Sequence, residues 1–151
     1  MAQFRRSRVI ARLAVAALSL SAASGAAIAQ VRNLVQPGAF AITAPPSGAS
    51  FEKRGRIERQ TGTGWEAVFD EFYLVDDCRA AATLPACVTL APGGELRPVP
   101  WNGYSCEGQC PRGCKKNVYR PPGTFRLVLT ACGRGPQVTG EPFVMGGRAR
   151  H

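Results

Sequence analysis

The segment 106–132 constrains the fold most, because it combines four of the six cysteines with the clearest strand pattern of the chain. Within 124–131, apolar side chains at every second position alternate with Arg126, Val128 and Thr130. An alternation of period two is typical of a β-strand with one buried face. We therefore expect a core strand at 124–131, preceded by a cationic loop that holds three cysteines.

The N-terminus has the features of a signal peptide. Four arginines precede an apolar run at 13–20, and Ala27 and Ala29 supply the small residues that signal peptidase recognises. The run is shorter than the roughly 20 residues of a membrane-spanning helix. We expect residues 1–29 to form a Sec-type signal-peptide helix that is cleaved between Ala29 and Gln30, with no transmembrane segment thereafter. A periplasmic or secreted protein follows from this; a retained anchor helix is the alternative.

Charge and size narrow the range of functions further. Removal of residues 1–29 leaves 122 of the 151 residues, which is the size of one domain. The chain has 19 basic and 10 acidic residues, and four of the basic ones lie in the signal, so 15 remain against 10. This modest surplus favours weak attraction to anionic surfaces and is far from the signature of a nucleic-acid-binding protein. We expect no nucleic-acid partner.

All six cysteines follow the predicted cleavage site. They are Cys78, Cys87, Cys106, Cys110, Cys114 and Cys132. An even number of cysteines in a small exported domain is typical of a disulfide framework. We predict one pairing, Cys78 with Cys87, because it closes a short ring; the other connectivities stay open.

The remaining pattern consists of short extended runs between Gly/Pro turns. The runs 51–60 and 65–75 flank the sequence T-G-T-G at 61–64, which predicts a β-hairpin with its first run at a sheet edge or face. Trp65 to Tyr73 also fits a helical stripe, but its aromatic and β-branched residues favour a strand. With no other helical pattern after the signal, the sequence predicts an all-β, antiparallel sandwich or barrel.

The two ends of the mature chain differ from its centre. Residues 30–50 are rich in Gln, Pro, Ala, Gly and Ser, so we expect a flexible segment with a possible edge strand near 38–43. Residues 133–140 are expected to form a loop, and residues 146–151 a disordered tail.

Four motifs resemble those of bacterial immunoglobulin-like domains. They are GWEAV at 64–68 (G-W-x-x-V), LAPGGEL at 90–96 (L-x-P-G-x-x-L), PPGTFRLV at 121–128 (L-P-P-G-x-Y-R-L-V, with Phe125 where tyrosine is usual) and EPF at 141–143 (S-x-P-F). The resemblance covers residues 51–145. It implies a secreted immunoglobulin-like β-sandwich without an assigned catalytic site. Together with the six cysteines, we expect this sandwich to be stapled by disulfides. The cysteine loop 106–114 departs from the simpler pattern, so we expect any specific function there.

The sequence gives little support for a catalytic or metal-binding site. The single histidine is His151, the last residue, which argues against Ser-His-Asp and Cys-His catalysis and against imidazole metal sites. Three cysteines spaced by four residues could ligate a metal, but Pro111 and the neighbouring glycines break a helix there and an exported protein favours disulfides. The acidic residues between 66 and 77 are more typical of a solvated strand end than of paired catalytic carboxylates. We expect no catalytic residue, no cofactor and no metal.

A cationic patch with aromatic neighbours is the best candidate for binding. Its residues are Tyr104, Arg112, Lys115, Lys116, Tyr119 and Arg120. Such a patch could bind an unknown protein or an anionic envelope component. The alternative is a solvated loop whose charges prevent edge pairing. The sequence therefore predicts an exported, non-enzymatic binding or structural module of the bacterial envelope. A proteinase inhibitor that presents the loop 102–120 is the second hypothesis, and a small secreted enzyme is the third.

Overall fold

The computed structural model describes residues 28–75, 86–107, 116–120 and 122–146, and in these ranges every regular element is a β-strand. The strands are β1 (Gln30–Asn33), β2 (Phe40–Thr43), β3 (Ala49–Glu52), β4 (Arg54–Thr61), β5 (Gly64–Tyr73), β6 (Cys87–Leu90), β7 (Glu95–Leu96), β8 (Tyr104–Glu107), β9 (Lys116–Tyr119), β10 (Gly123–Thr130), β11 (Gln137–Thr139) and β12 (Phe143–Met145). All pairings between these strands are antiparallel, so the predicted all-β antiparallel class is confirmed. The expected signal-peptide helix lies outside the described residues.

The described strands form two larger sheets and two ribbons. The first sheet has the order β1-β2-β7, and the second has the order β11-β10-β4-β5 with β12 also paired to β10. The ribbons are β3-β6 and β8-β9. One hydrophobic core joins them, because its buried side chains come from the first sheet (Phe40, Ile42), from the second (Ile57, Leu127) and from β3 (Phe51).

β10 lies at the centre of this arrangement, as its alternating pattern predicts. Phe125, Leu127 and Leu129 are fully buried on one face. Phe125 packs edge-on against Trp101, with ring centroids 4.9 Å apart. Val128, on the opposite face, is also buried because its strand lies inside the sheet beside β4. The core strand predicted at 124–131 is therefore confirmed.

The hairpin predicted around the glycine-rich turn is also confirmed. β4 and β5 are joined by a two-residue turn, with Thr61 opposite Gly64. β4 is an inner strand, however, because it pairs with β10 on its other side. The expected edge position was wrong for a physical reason. Glu58 is neutralised by two arginines on the same face, so a charged sequence can occupy an inner strand.

The strand expected near 38–43 is present as β2, in an N-terminal part that has more regular structure than the expected flexible segment. Residues 30–50 contain β1, β2 and the start of β3, and Phe40, Ala41 and Ile42 are buried. β2 is the middle strand of its sheet rather than an edge strand. Its apolar triplet supplies enough buried surface to order a segment of otherwise loop-like composition. A short strand, β11, likewise lies within the expected loop 133–140.

The predicted Cys78–Cys87 bridge was wrong, because Cys87 is bonded to Cys132, with Cα atoms 5.9 Å apart and a sequence separation of 45. β3 explains this long-range pairing. Glu52 of β3 lies opposite Cys87, and the amide of Cys132 donates to the carbonyl of Ser50. β3 therefore brings both cysteines to the same end of the core, although the sequence favours a short ring. Cys78 lies outside the described residues.

Candidate functional site

The β8-β9 ribbon carries the residues that the sequence singles out for binding. Its register places Tyr104 opposite Tyr119, Ser105 opposite Val118, and Glu107 opposite Lys116. The residues between these two strands, 108–115, include the cysteine-rich basic segment and lie outside the described ranges. The ribbon therefore connects that segment to the folded core through its two strands.

Trp101 anchors the base of the ribbon to the core. Its side chain is buried against Phe125, and its indole Nε1 donates to the carbonyl oxygen of Tyr104 at 2.7 Å. Its own amide donates to the carbonyl of Gly38 in the turn between β1 and β2, at 2.8 Å. Gly38 has φ of 78°, and a Cβ there would collide with the Trp101 carbonyl oxygen. Glycine is needed at this position for both reasons.

A polar lock holds the two strands of the ribbon together at their base. Ser105 is buried, and its Oγ accepts a hydrogen bond of 2.7 Å from Nε of Arg120. The same hydroxyl lies 3.4 Å from the carbonyl oxygen of Val118, to which it donates. The amide of Arg120 donates to the carbonyl of Gly103 at 2.9 Å. Because buried polar groups are costly when unpaired, these contacts fix the guanidinium at the base of the ribbon.

The aromatic pair forms one face of the ribbon. The rings of Tyr104 and Tyr119 have centroids 5.2 Å apart and are tilted by 55°. Tyr119 is 38% exposed, so part of this pair faces solvent. Tyrosines exposed next to an arginine are typical of protein recognition surfaces. The exposed part of the pair thus offers aromatic surface on which a partner could pack.

Three of the six predicted binding residues are brought together by the structure. Tyr104, Tyr119 and Arg120 meet at the base of the ribbon. Arg112 and Lys115 lie outside the described residues, and of Lys116 only the backbone, in β9, is described. Among the predicted disulfide cysteines, Cys87 and Cys132 are bonded and Cys106 belongs to β8, whereas Cys110 and Cys114 lie outside the described ranges.

Sequence reasoning missed one residue and one structural element of this site. Ser105 was not predicted, because a single serine next to a cysteine matches no sequence motif. The ribbon itself was missed because its strands are four residues long and glycine and proline follow the first one. The one available signal was the matched Tyr104 and Tyr119, which flank the segment symmetrically, as cross-strand aromatic pairs do.

A second polar cluster lies on the exposed face of the larger sheet. The carboxylate of Glu58 receives two short contacts from Arg56, at 2.7 and 2.8 Å, and two from Arg126, also at 2.7 and 2.8 Å. The Arg126 guanidinium lies 4.2 Å from the ring centroid of Trp65, a cation–π contact. Burial alone would raise the pKa of Glu58, but the two arginines outweigh it and hold that pKa below its ordinary value of 4.5.

This cluster has the character of a structural element. Both carboxylate oxygens of Glu58 are occupied, and the side chain is only 8% exposed, so it offers no open position to a ligand. Its contacts join β4 to β10 and, through the stacked indole, to β5. The β8-β9 ribbon is therefore the better candidate for the functional site.

Comparison with protein-family models, with curated proteins and with solved structures finds no match to this chain.

Proposed function

We propose that this chain is an exported, non-enzymatic binding or structural module of the bacterial envelope, built as an immunoglobulin-like β-sandwich, and that the β8-β9 ribbon is its binding element. The proposal combines the signal-like N-terminus and the motif resemblance with the geometry of the ribbon. The single observation that supports it best is that the base of the ribbon is fixed to the core. Trp101, Ser105 and Arg120 fix both strands to the core, so whatever lies between Glu107 and Lys116 leaves a rigid support.

Rigidity at the base matters because binding costs conformational entropy. A loop that is ordered before it meets its partner loses less freedom on binding than a free one. Ladder hydrogen bonds, the aromatic pair and the polar lock all restrict the ribbon before any partner is present. This is the organisation expected of a recognition element rather than of a connecting loop.

Charge suggests the chemistry of the partner. The segment 104–120 holds the bases Arg112, Lys115, Lys116 and Arg120, and the single acid Glu107. Such a surplus attracts anionic partners and makes their binding sensitive to salt. We infer a partner with negative charges, either a protein or an anionic envelope component.

Retention of partners at rising salt tests this proposal. Purified, oxidised protein is immobilised and exposed to an extract of the bacterial envelope, and bound material is eluted with increasing NaCl. We expect elution at moderate salt, because the Debye length falls from about 10 Å at 0.1 M to about 3 Å at 1 M. Neutralisation of the basic segment by Lys115→Gln and Lys116→Gln should shift elution to lower salt, and Tyr119→Ala should weaken retention at every salt concentration.

A matched variant separates a specific site from general charge. Arg32→Gln with Arg97→Gln removes the same two charges from a distant pair that contacts Glu95. Retention should stay close to that of the unaltered protein. The ribbon is not the binding element if both double variants lose retention equally. The same conclusion follows if retention changes neither with salt nor in any variant.

The same anchored ribbon also fits a proteinase inhibitor. Inhibitory loops are held at both ends so that they bind a protease without losing much entropy, and the ribbon base supplies such support. Titration against a panel of serine, cysteine and metalloproteases distinguishes the two functions. Inhibition that disappears on Arg112→Ala or Lys115→Ala favours the inhibitor, and an inactive panel removes it.

A further inference from the structure

A pocket of about 350 Å³ opens beside the Cys87–Cys132 disulfide, at the end of the core where β10 finishes. Besides the disulfide, its described lining includes Glu52, Lys53, Arg54, Gly133 and Arg134. None of these residues belongs to the β8-β9 ribbon. The pocket is therefore a second, separate feature, and its most distinctive component is Arg134.

Arg134 adopts a backbone conformation that arginine disfavours. Its φ is 60°, and among the described residues it is the one non-glycine position with positive φ. A side chain with a Cβ is strained there, whereas glycine is not. The neighbours on both sides, Gly133 and Gly135, show that glycine is accepted in this turn. Retained strain of this kind is typical of functional positions.

No contact within the described residues explains why an arginine occupies this position. Its side chain is exposed, and it forms no hydrogen bond or ion pair with another described residue. By contrast, Arg56 and Arg126 pair with Glu58, and Arg32 and Arg97 pair with Glu95. The guanidinium of Arg134 thus keeps its donors available at the edge of the pocket.

The charges around the pocket favour an anion. Lys53, Arg54 and Arg134 contribute three positive charges, and Glu52 contributes one negative charge. Arg54 is partly engaged, because its Nη1 lies 3.6 Å from Oε1 of Glu71 and its side chain also hydrogen-bonds Tyr73. Even with Glu71 counted, basic side chains around the pocket outnumber acidic ones by three to two, which favours an anion.

Backbone donors add to this environment. The turn closes through a hydrogen bond from the amide of Gly135 to the carbonyl of Ala131, at 3.0 Å. The amides of Gly133 and Arg134 donate to no other described residue. Both amides therefore remain available as donors beside the Arg134 side chain. Guanidinium groups and unpaired backbone amides are common ligands of phosphate oxygens.

We propose that this pocket binds a phosphate group, either as free phosphate or as the phosphate monoester of a sugar. At neutral pH a phosphate monoester carries close to two negative charges and three acceptor oxygens. Arg134 is the residue that determines affinity, with Arg54 and Lys53 as supporting charges. The proposal does not depend on the ribbon, so each can fail without the other.

Isothermal titration calorimetry at constant ionic strength tests the proposal with inorganic phosphate and with glucose 1-phosphate. Arg134→Gly is the decisive variant, because it relieves backbone strain while it removes the guanidinium. We expect phosphate affinity to fall about tenfold or more, as for loss of a bidentate charged contact. The melting temperature should stay equal or rise, since glycine accepts the left-handed conformation.

Two further variants serve as controls for the effect of the Arg134 side chain. Arg134→Asn, a residue that also tolerates positive φ, should lose affinity in the same way. Arg97→Gln removes one charge far from the pocket and should leave affinity unchanged. Tighter binding of glucose 1-phosphate than of phosphate identifies a sugar phosphate as the ligand, and the reverse order identifies free phosphate. An unaltered affinity in Arg134→Gly, or no binding by the original protein at about 10 mM phosphate, overturns the proposal.

Discussion

Two cysteine-bearing regions of this protein are held in different ways. At one end, the Cys87–Cys132 bond joins segments 45 residues apart, and β3 lies between them with hydrogen bonds to both. At the β8-β9 ribbon, strands that are close in sequence pair with each other and reach the core through Trp101. The first region therefore stabilises the whole fold, whereas the second organises itself locally and leaves its surface for recognition.

Disulfide mapping tests directly whether the two regions are held by separate bonds. With Cys87 and Cys132 bonded, four cysteines remain, and three of them (106, 110 and 114) lie in the ribbon segment. If all are oxidised, Cys78 must pair with one of those three. Proteolysis without reduction should therefore give one fragment that contains Cys87 and Cys132 and another that joins Cys78 to the segment 106–114. A fragment that joins Cys78 to Cys87 would contradict the structure.

Removal of the long-range bond should have the largest energetic effect. Chain-entropy arguments give about 4 kcal/mol for a loop of this length. The double variant Cys87→Ala with Cys132→Ala should lower the free energy of unfolding by about that amount, measured by urea denaturation under oxidising conditions. If the mapping shows Cys110 bonded to Cys114, the double variant Cys110→Ala with Cys114→Ala is the control, and we expect a smaller loss because that bond closes a much shorter loop. A larger loss of unfolding free energy in the control would mean that the ribbon region, and not the Cys87–Cys132 bond, stabilises the whole fold.

The same contrast explains how far the sequence predicts this fold. β10, the β4-β5 hairpin and the all-β class follow from period-two patterns and turn residues, which act over a few neighbours. The Cys87–Cys132 bond does not follow, because β3 creates it through pairings with distant segments. A short ring is favoured by entropy in an isolated chain, yet strand pairing decides which thiols meet.

For the candidate sites, the sequence predicts residues that are recognisable by their charge or aromatic character, but not those whose role depends on burial or backbone conformation. Tyr104, Tyr119 and Arg120 were predicted from charge and aromatic character, and the structure places them together. Ser105 was not predicted, because its role depends on burial next to Arg120. Arg134 was not predicted either, since positive φ at a non-glycine residue is not visible in sequence. The G-R-G context was the one available clue.

Acid should weaken the sheet region through Glu58. Its folded pKa lies below the ordinary value of 4.5, so its stabilising contribution is complete above that value and is lost as pH falls towards the folded pKa. Glu58→Gln should lower the free energy of unfolding by about 2 kcal/mol at neutral pH, because charged hydrogen bonds to two arginines are lost. It should also flatten the decline of stability below pH 4.5. Denaturant titrations between neutral pH and the acid range measure both effects.

Glu95 provides the control for that titration. Hydrogen bonds from Arg97 and Arg32 also lower its pKa, but the group is exposed and solvent screens its charge. Glu95→Gln should therefore leave both the neutral stability and the acid slope nearly unchanged. Equal effects of the two variants would mean that the Glu58 cluster contributes no more than a surface ion pair.

The smallest effect should come from the polar lock of the ribbon. Ser105→Ala removes the acceptor of the Arg120 Nε hydrogen bond and should destabilise the paired ribbon by about 1 kcal/mol. If the ribbon is organised locally, amide hydrogen exchange should accelerate in β8 and β9 while the amides of β10 keep their protection. Trp101→Phe, which retains the ring but loses the donor to Tyr104, should act on the same amides. If β10 accelerated together with the ribbon, the two regions would form one cooperative unit. The ribbon would then be part of the scaffold rather than an element mounted on it.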